Sequence, residues 1–286
     1  MFDRKEKNAE IFKDTERMYR SNKILKDAVE HSIQNQRLIL ATDPVDFEPP
    51  DVREGKVVVS GKRTLEASGH YAKRGKRVCV LNFASATNPG GGVVHGSSAQ
   101  EEAICRCSTL YPCLNTKNML DSFYTPHKKA NNPLYNNDCI FTPAVKVFKG
   151  DTNFPKTLAG TEWWAVDVIT CAAPNLRRVP SNAMNPNAGS KRADITFEGL
   201  KALHTGRIQR IFEVALANKA DVLILGAFGC GAFCNPPELV AEIFAEFTEK
   251  YRQFFDTIEY AVFHTERDKK NYEAFQKAMR RYGQNA

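Results

Sequence analysis

The sequence predicts a three-layer α/β/α fold with a mixed, partly parallel central sheet. Candidate strands and amphipathic helices alternate along the chain. The later strands, Val222–Leu225 above all, are apolar at every position, which suits burial on both faces of a sheet. Two glycine-rich stretches each follow a buried strand and precede a helix. In open α/β sheets such loops gather at the carboxyl ends of strands and share one crevice.

Residues 4–36 are polar and charged, with Ile11, Met18, Ile24, Leu25 and Val29 at loosely helical spacing, so one or two N-terminal helices are expected. Asp43-Pro44 and Glu48-Pro49-Pro50-Asp51 mark a turn-rich connection. Val57–Val59 is a β-branched strand, and Thr64 can cap a helix over Leu65–Arg74 that Gly75 ends. Val78–Phe83 reads as a buried strand entering the first glycine stretch. Ala103, Ile104, Cys107, Leu110 and Tyr111 then share one helical face, closed off by Pro112. Thr125–Asn137 reads as loop; strands follow at Val145–Phe148 and Trp163–Thr170, and residues 172–195 form a long connection of a length that is usually functional. Ile208–Leu216 is an amphipathic helix. Leu239–Tyr251 is another, opened by Pro236-Pro237. Tyr260–Phe263 is a last strand, and Tyr272–Tyr282 a C-terminal helix. No internal repeat is visible. The economical division is an N-terminal helical extension, 1–50, packed on a single globular unit, 51–286.

The chain has 286 residues, 42% of them hydrophobic, enough for a full core. Its +7 charge favours polyanionic partners, although ordinary solubility explains a charge of that size as well. The charged N-terminus lacks the apolar core of a secretory signal, and no apolar run reaches the roughly 18 residues of a membrane helix. A soluble protein, intracellular and cytoplasmic (or nuclear in a eukaryote), is expected, and a monomer. The eight cysteines include no Cys-x-x-Cys pair and stand apart from base partners, so neither a structural zinc nor a catalytic thiol is expected. Grouped aspartates for a metal are also missing, and no cofactor is expected.

The chemistry concentrates at Asn88-Pro89-Gly90-Gly91-Gly92, followed after seven residues by Gln100-Glu101-Glu102. Three glycines leave bare backbone that can take positive φ and wrap a ligand closely. Asn88 can donate and accept, which suits a vicinal diol; it is also a common turn former. Glu101 and Glu102 open a helix, where carboxylates commonly complement the dipole. With the glycines and Asn88 beside them, a site is the better reading. Successive helix residues point about 100° apart, so the two acids cannot share one task. The second stretch, Gly226-Ala227-Phe228-Gly229-Cys230-Gly231-Ala232-Phe233, offers bare N–H groups for a phosphate, or is simply a tight turn. It lacks the Gly-Lys-Ser/Thr of a Walker loop and the spacing of a dinucleotide fold. Phe233 and Phe228 could pack on a ribose or belong to the core.

The Asn-Pro-Gly-Gly-Gly and Gln-Glu-Glu pattern, in the context Leu81–Asn88 through Ser108–Leu114, resembles the microbial-type branch of the poly(ADP-ribose) glycohydrolases, on the macrodomain fold. The resemblance runs from about Gly55 to Phe275, with support from Tyr124–Lys128, Ile169–Asn175 and Leu225–Phe233. It implies release of ADP-ribose by hydrolysis of ribose–ribose bonds without a metal, acting from polymer ends. By resemblance Glu102 protonates the leaving ribose oxygen and then serves as base toward water. Glu101 holds sugar hydroxyls, Gln100 shapes the helix start, Asn88 orients the terminal ribose, and 226–233 is the diphosphate loop with Phe233 on the substrate. A helix N-terminus favours an ionised carboxylate, so burial and a like-charged neighbour have to outweigh it in a proton donor.

Two other readings stay open. A binding module would hold ADP-ribose without cleaving it, but has no need of the Glu101-Glu102 pair. A hydrolase of mono-ADP-ribosylated protein or nucleic acid could use the same cradle with a different exit.

Overall fold

The computed structural model describes residues 4–183, 186 and 188–283. Helices α1 (Arg4–Ser21) and α2 (Lys23–Asn35) come first, and Asn22 caps α2 by accepting from the Leu25 N–H at 3.2 Å. They lead to β1 (Arg37–Ile39), β2 (Lys56–Ser60), α3 (Thr64–Ala72) and β3 (Val78–Phe83). After the first glycine stretch come α4 (Gln100–Cys107), α5 (Leu110–Leu114), α6 (Lys117–Met119), a π-helical turn at Leu120–Tyr124 and α7 (Thr125–Ala130). The order closes with β4 (Cys139–Val147), β5 (Trp164–Cys171), α8 (Phe197–Ala217), β6 (Val222–Leu225), α9 (Pro237–Tyr251), β7 (Thr257–Ala261) and α10 (Lys270–Met279).

The strands form one sheet in the order β1-β4-β5-β3-β6-β7-β2. From β5 to β2 neighbouring strands run parallel, whereas β4 is antiparallel to both β5 and β1. The apolar runs are explained by two cores. Cys79, Leu81, Leu223 and Leu225 pack with α8, α9 and α10 on one face. Val78, Val80, Val222 and Ile224, one residue out of phase, pack with α3, α4 and Phe12 of α1 on the other. The three-layer α/β/α arrangement with a mixed sheet is therefore the observed fold.

Three local expectations are corrected, and one strand is added. The 103–111 helix is broken at Ser108-Thr109, because those residues pair with the end of β4. Ser108 bridges Val147, the Thr109 N–H donates to the Lys146 carbonyl at 2.9 Å, and the Lys146 N–H donates to Thr109 Oγ1 at 2.9 Å. Pro112 then falls in the first turn of α5, where an N–H has no intrahelical partner and proline is tolerated. Thr64 begins α3 instead of capping it, and its hydroxyl accepts from Gln100 Nε2 at 3.1 Å. Thr125–Ala130 is helix, with Pro126 in its first turn and the His127 ring held between the Phe123 carbonyl and Asn136 Oδ1, each at 2.8 Å. Finally, β1 was not foreseen: three residues carry too little period to be read, and pairing with β4 alone defines them.

Candidate active site

A cavity of about 630 Å³ opens at the carboxyl ends of the five parallel strands, a size in the usual range for ligand sites, roughly 300–1,000 Å³. Each of those strands contributes: Arg63 and Thr64 after β2, Phe83 at the end of β3 with Asn88, Gly91, Gly92 and Gln100 to Ala103 beyond it, Ala173, Asn175 and Arg177 after β5, Ala227, Phe228, Gly229 and Gly231 to Phe233 after β6, and Ala261 to Phe263 at the end of β7. After β3 the chain crosses to β4 and β5 on one side, then returns through α8 to β6 on the other, so the strand order switches at β3 and opens a crevice there. Lys5, Arg63 and Arg177 on the wall suit an anionic ligand.

Both glutamates are buried in the first turn of α4, on different sides of it. Glu102 Oε1 accepts the Gly92 N–H at 2.9 Å. Its other oxygen, Oε2, is buried on the cavity wall with no hydrogen-bond partner among the described residues. Glu101 turns toward β3: Oε2 accepts the Ser85 N–H at 2.8 Å, and Oε1 accepts from Asn82 Nδ2 at 3.3 Å. Burial, and next the Glu102 carboxylate, hold the Glu101 carboxyl well above the usual carboxylate range, while the N–H groups of Ser85, Asn82 and Gly90 pull the other way.

The glycines are required here by approach as much as by dihedral. Gly91 has φ +58°, and a Cβ on it would lie 2.5 Å from Glu102 Oε1 and 3.0 Å from Glu101 Oε2. Gly90, at φ +64°, is pressed by the Tyr111 ring, 2.7 Å from where its Cβ would be. Gln100 locks the helix start to the strand end. Its Oε1 accepts the Phe83 N–H at 2.8 Å, and its Nε2 donates to the Leu81 carbonyl at 2.7 Å. Asn88 is half-buried on the wall; its N–H donates to Ser85 Oγ at 3.1 Å and its Nδ2 to Thr87 Oγ1 at 3.0 Å, leaving Oδ1 for a ligand.

The second glycine stretch is a long turn, since α9 begins only at Pro237. Asn235, buried, braces it. Asn235 Nδ2 donates to the Pro174 carbonyl at 2.8 Å and the Gly229 carbonyl at 3.0 Å, and its Oδ1 lies 2.9 Å from His204 Nε2. Burial lowers the His204 pKa to about 4, so the ring is neutral near neutrality and serves as a donor. Phe233 borders the cavity, 6.2 Å from the Tyr135 ring, whereas the Phe228 ring is fully buried between Phe83 and His204.

The cavity thus gathers Asn88, Gly91, Gly92, Gln100, Glu101, Glu102, Ala227, Phe228, Gly229, Gly231, Ala232 and Phe233. Gly90, Gly226 and Cys230, also expected to bind substrate, do not border it. Gly226 backs onto the Ala261 carbonyl and the Phe83 ring, and the Cys230 thiol packs into the core. Sequence reasoning did not single out Tyr135, Arg177 or Asn235, and Asn82 and Ser85 were legible only within the matching stretch Leu81–Asn88; Asn82 and Ser85 are set by the bonds they give Glu101. Asn175 was legible only as the end of a matching block. Among the described residues no group of His, Cys, Asp or Glu could hold a metal, no cysteine is paired, and no helix is long and apolar enough to cross a membrane.

Residues 6–150 match the family described as microbial-type PARG, catalytic domain. No curated protein matches the chain. Solved structures do. The poly(ADP-ribose) glycohydrolase of Thermomonospora curvata bound to the inhibitor ADP-HPD is 27% identical, with a TM-score of 0.77 over 94% of this chain and 98% of that one. The enzyme of Deinococcus radiodurans in complex with ADP-ribose is also 27% identical, with a TM-score of 0.74 over 88% and 96%. The family match covers more than half of the sequence and includes the whole glycine and glutamate pattern; this chain belongs to the microbial-type poly(ADP-ribose) glycohydrolases.

Proposed function

We propose that this protein hydrolyses the ribose–ribose O-glycosidic bonds of poly(ADP-ribose) and releases ADP-ribose, with Glu102 as general acid and then general base. The observation that carries the proposal is the state of the Glu102 carboxyl. One oxygen is fixed by the Gly92 N–H, and the other is buried on the cavity wall without a partner. A buried polar atom left unpaired is costly, and is retained where a substrate completes it. In an oxocarbenium-like pathway Oε2 gives its proton to the departing ribose oxygen, and the carboxylate so formed takes a proton from the water that attacks the anomeric carbon.

Glu101 serves differently. With both oxygens engaged by N–H groups it is a fixed anchor for the glycine turn and a hydroxyl acceptor at the edge of the ribose site. Asn88 and the Gly91–Gly92 backbone take the terminal ribose, and the Gly229–Phe233 turn with Arg177 takes the diphosphate. A module that only binds ADP-ribose would gain nothing from an unsatisfied carboxyl oxygen at this point.

The test is to incubate the protein with poly(ADP-ribose) and, separately, with mono-ADP-ribosylated protein, and to follow free ADP-ribose with time. Release from the polymer is expected. Binding of both without release from either would establish a reader instead, and release only from the monomer would move the substrate class.

A further inference from the structure

We infer that Asn8, on α1, is a positioning residue for Glu102, so that the N-terminal helix is part of the catalytic centre. The inference rests on the role given to Glu102 above. The Gly92 N–H that holds Glu102 Oε1 belongs to a short turn, residues 92–97, whose own bonds are local: His95 N–H and Ser97 N–H both donate to the Gly92 carbonyl, at 3.0 and 3.1 Å, and Gly96 N–H donates to the Val93 carbonyl at 3.1 Å. The buried Val93 side chain anchors its first half in the core, but no bond within the turn fixes the end that carries Gly96.

Two elements do. From one side Arg106, on the same helix as Glu102, donates through Nη1 to the Ser97 carbonyl. From the other, Asn8 is 3% exposed and donates through Nδ2 to the Gly96 carbonyl at 3.0 Å. Gly96 has φ +77°, and α1 approaches it so closely that a Cβ there would lie 1.9 Å from the Lys5 carbonyl oxygen. Further along the same helix, Thr15 Oγ1 donates to the Arg106 carbonyl at 2.6 Å, and the Phe12 ring meets Tyr111 edge-on at 4.9 Å. Tyr111 is the ring that presses on Gly90. One face of α1 therefore grips both the turn that holds the carboxyl and the helix that carries it.

Loss of the Asn8 amide leaves the Gly96 carbonyl unpaired in a buried place, and the turn is free to move away from α1. Glu102 Oε1 moves with it, and displacements of about 1 Å at a reacting group cost on the order of a hundredfold in rate. The substrate contacts after β5 and β6 stay where they are. Asn8→Ala is therefore expected to lower kcat by about ten- to a hundredfold with little change in KM or in ADP-ribose binding.

The experiment measures kcat and KM on poly(ADP-ribose), ADP-ribose binding and Tm for Asn8→Ala, Asn22→Ala and Glu102→Gln. Asn22→Ala removes the cap of α2 and loosens the same helical pair without touching the turn, so it is expected to lower Tm and leave kcat intact. Asn8→Ser is the substitute if Asn8→Ala does not fold; its hydroxyl is too short to reach the Gly96 carbonyl, and the same kcat loss is expected. A kcat for either Asn8 variant equal to wild type, with Glu102→Gln inactive, overturns the positioning role and leaves the Glu102 assignment standing. Turnover retained by Glu102→Gln overturns the assignment itself.

Discussion

The two glycine stretches read alike in sequence and are built for different reasons. At 88–92 Gly91 makes room for the two glutamate carboxylates and Gly90 for the Tyr111 ring behind it. At 226–233 the glycines make room for the fold: Gly226 for the Ala261 carbonyl, and Gly229, at φ +75°, for the Ala173 methyl and the Asn235 amide. Gly231 alone faces open space. The first stretch thus closes on two buried glutamates, and the second is held by a separate brace, His204 and Asn235. Glycine content marks a loop; what presses on the glycine decides whether its loss is felt in turnover or in stability.

The largest effect expected is at Glu102. Glu102→Gln should lose about 10²- to 10⁴-fold in kcat, the usual share of a general acid, with ADP-ribose affinity nearly unchanged by calorimetry. Next, Gly91→Ala places a methyl against Glu102 Oε1, and the carboxyl, at the end of a side chain, yields and loses its bond to the Gly92 N–H. The expected result is a loss of about a hundredfold in kcat with a modest fall in Tm. A large fall in Tm with turnover kept would erase the contrast drawn between the two stretches.

The brace of the second stretch has its own signature in acid. Because the folded state holds the His204 pKa at about 4, below the ordinary 6.5, its contribution to stability is complete above about pH 6.5 and is lost as pH falls toward 4. Over that window wild type should lose up to about 3 kcal/mol more than His204→Gln, read from urea titrations. Parallel pH curves for the two proteins would remove His204 from the brace. Gly229→Ala should cost about 1–3 kcal/mol of stability through overpacking against Ala173 and Asn235, and leave kcat per folded molecule close to wild type. Gly231→Ala, with no protein atom within 4 Å, should change stability by less than about 0.5 kcal/mol, and its methyl, set at the diphosphate turn, should raise KM more than it lowers kcat.

Much of this was visible in the chain. The fully apolar strands announced a doubly covered sheet, and Gln100-Glu101-Glu102 at a fixed distance from three glycines pointed to the loop and helix that line the cavity. What escaped did so for physical reasons. Asn235 and His204 act from 31 positions apart, and an asparagine after a turn looks like any other turn former. The helix expected through Tyr111 is cut because Ser108 and Thr109 find partners on β4, which no local periodicity records. Asn8 sits on a polar helix that reads as an appendage until its amide is seen on the Gly96 carbonyl.

The sequence alone determined the layering of the fold, the pairing of bare backbone with two acids, and the family, because these depend on residue type, period and short spacing. Tertiary structure alone decided which glutamate oxygen is left unsatisfied, which glycines touch the cavity, and that α1 braces the turn above Glu102. Those are distances between parts of the chain far apart in order, and only folding sets them.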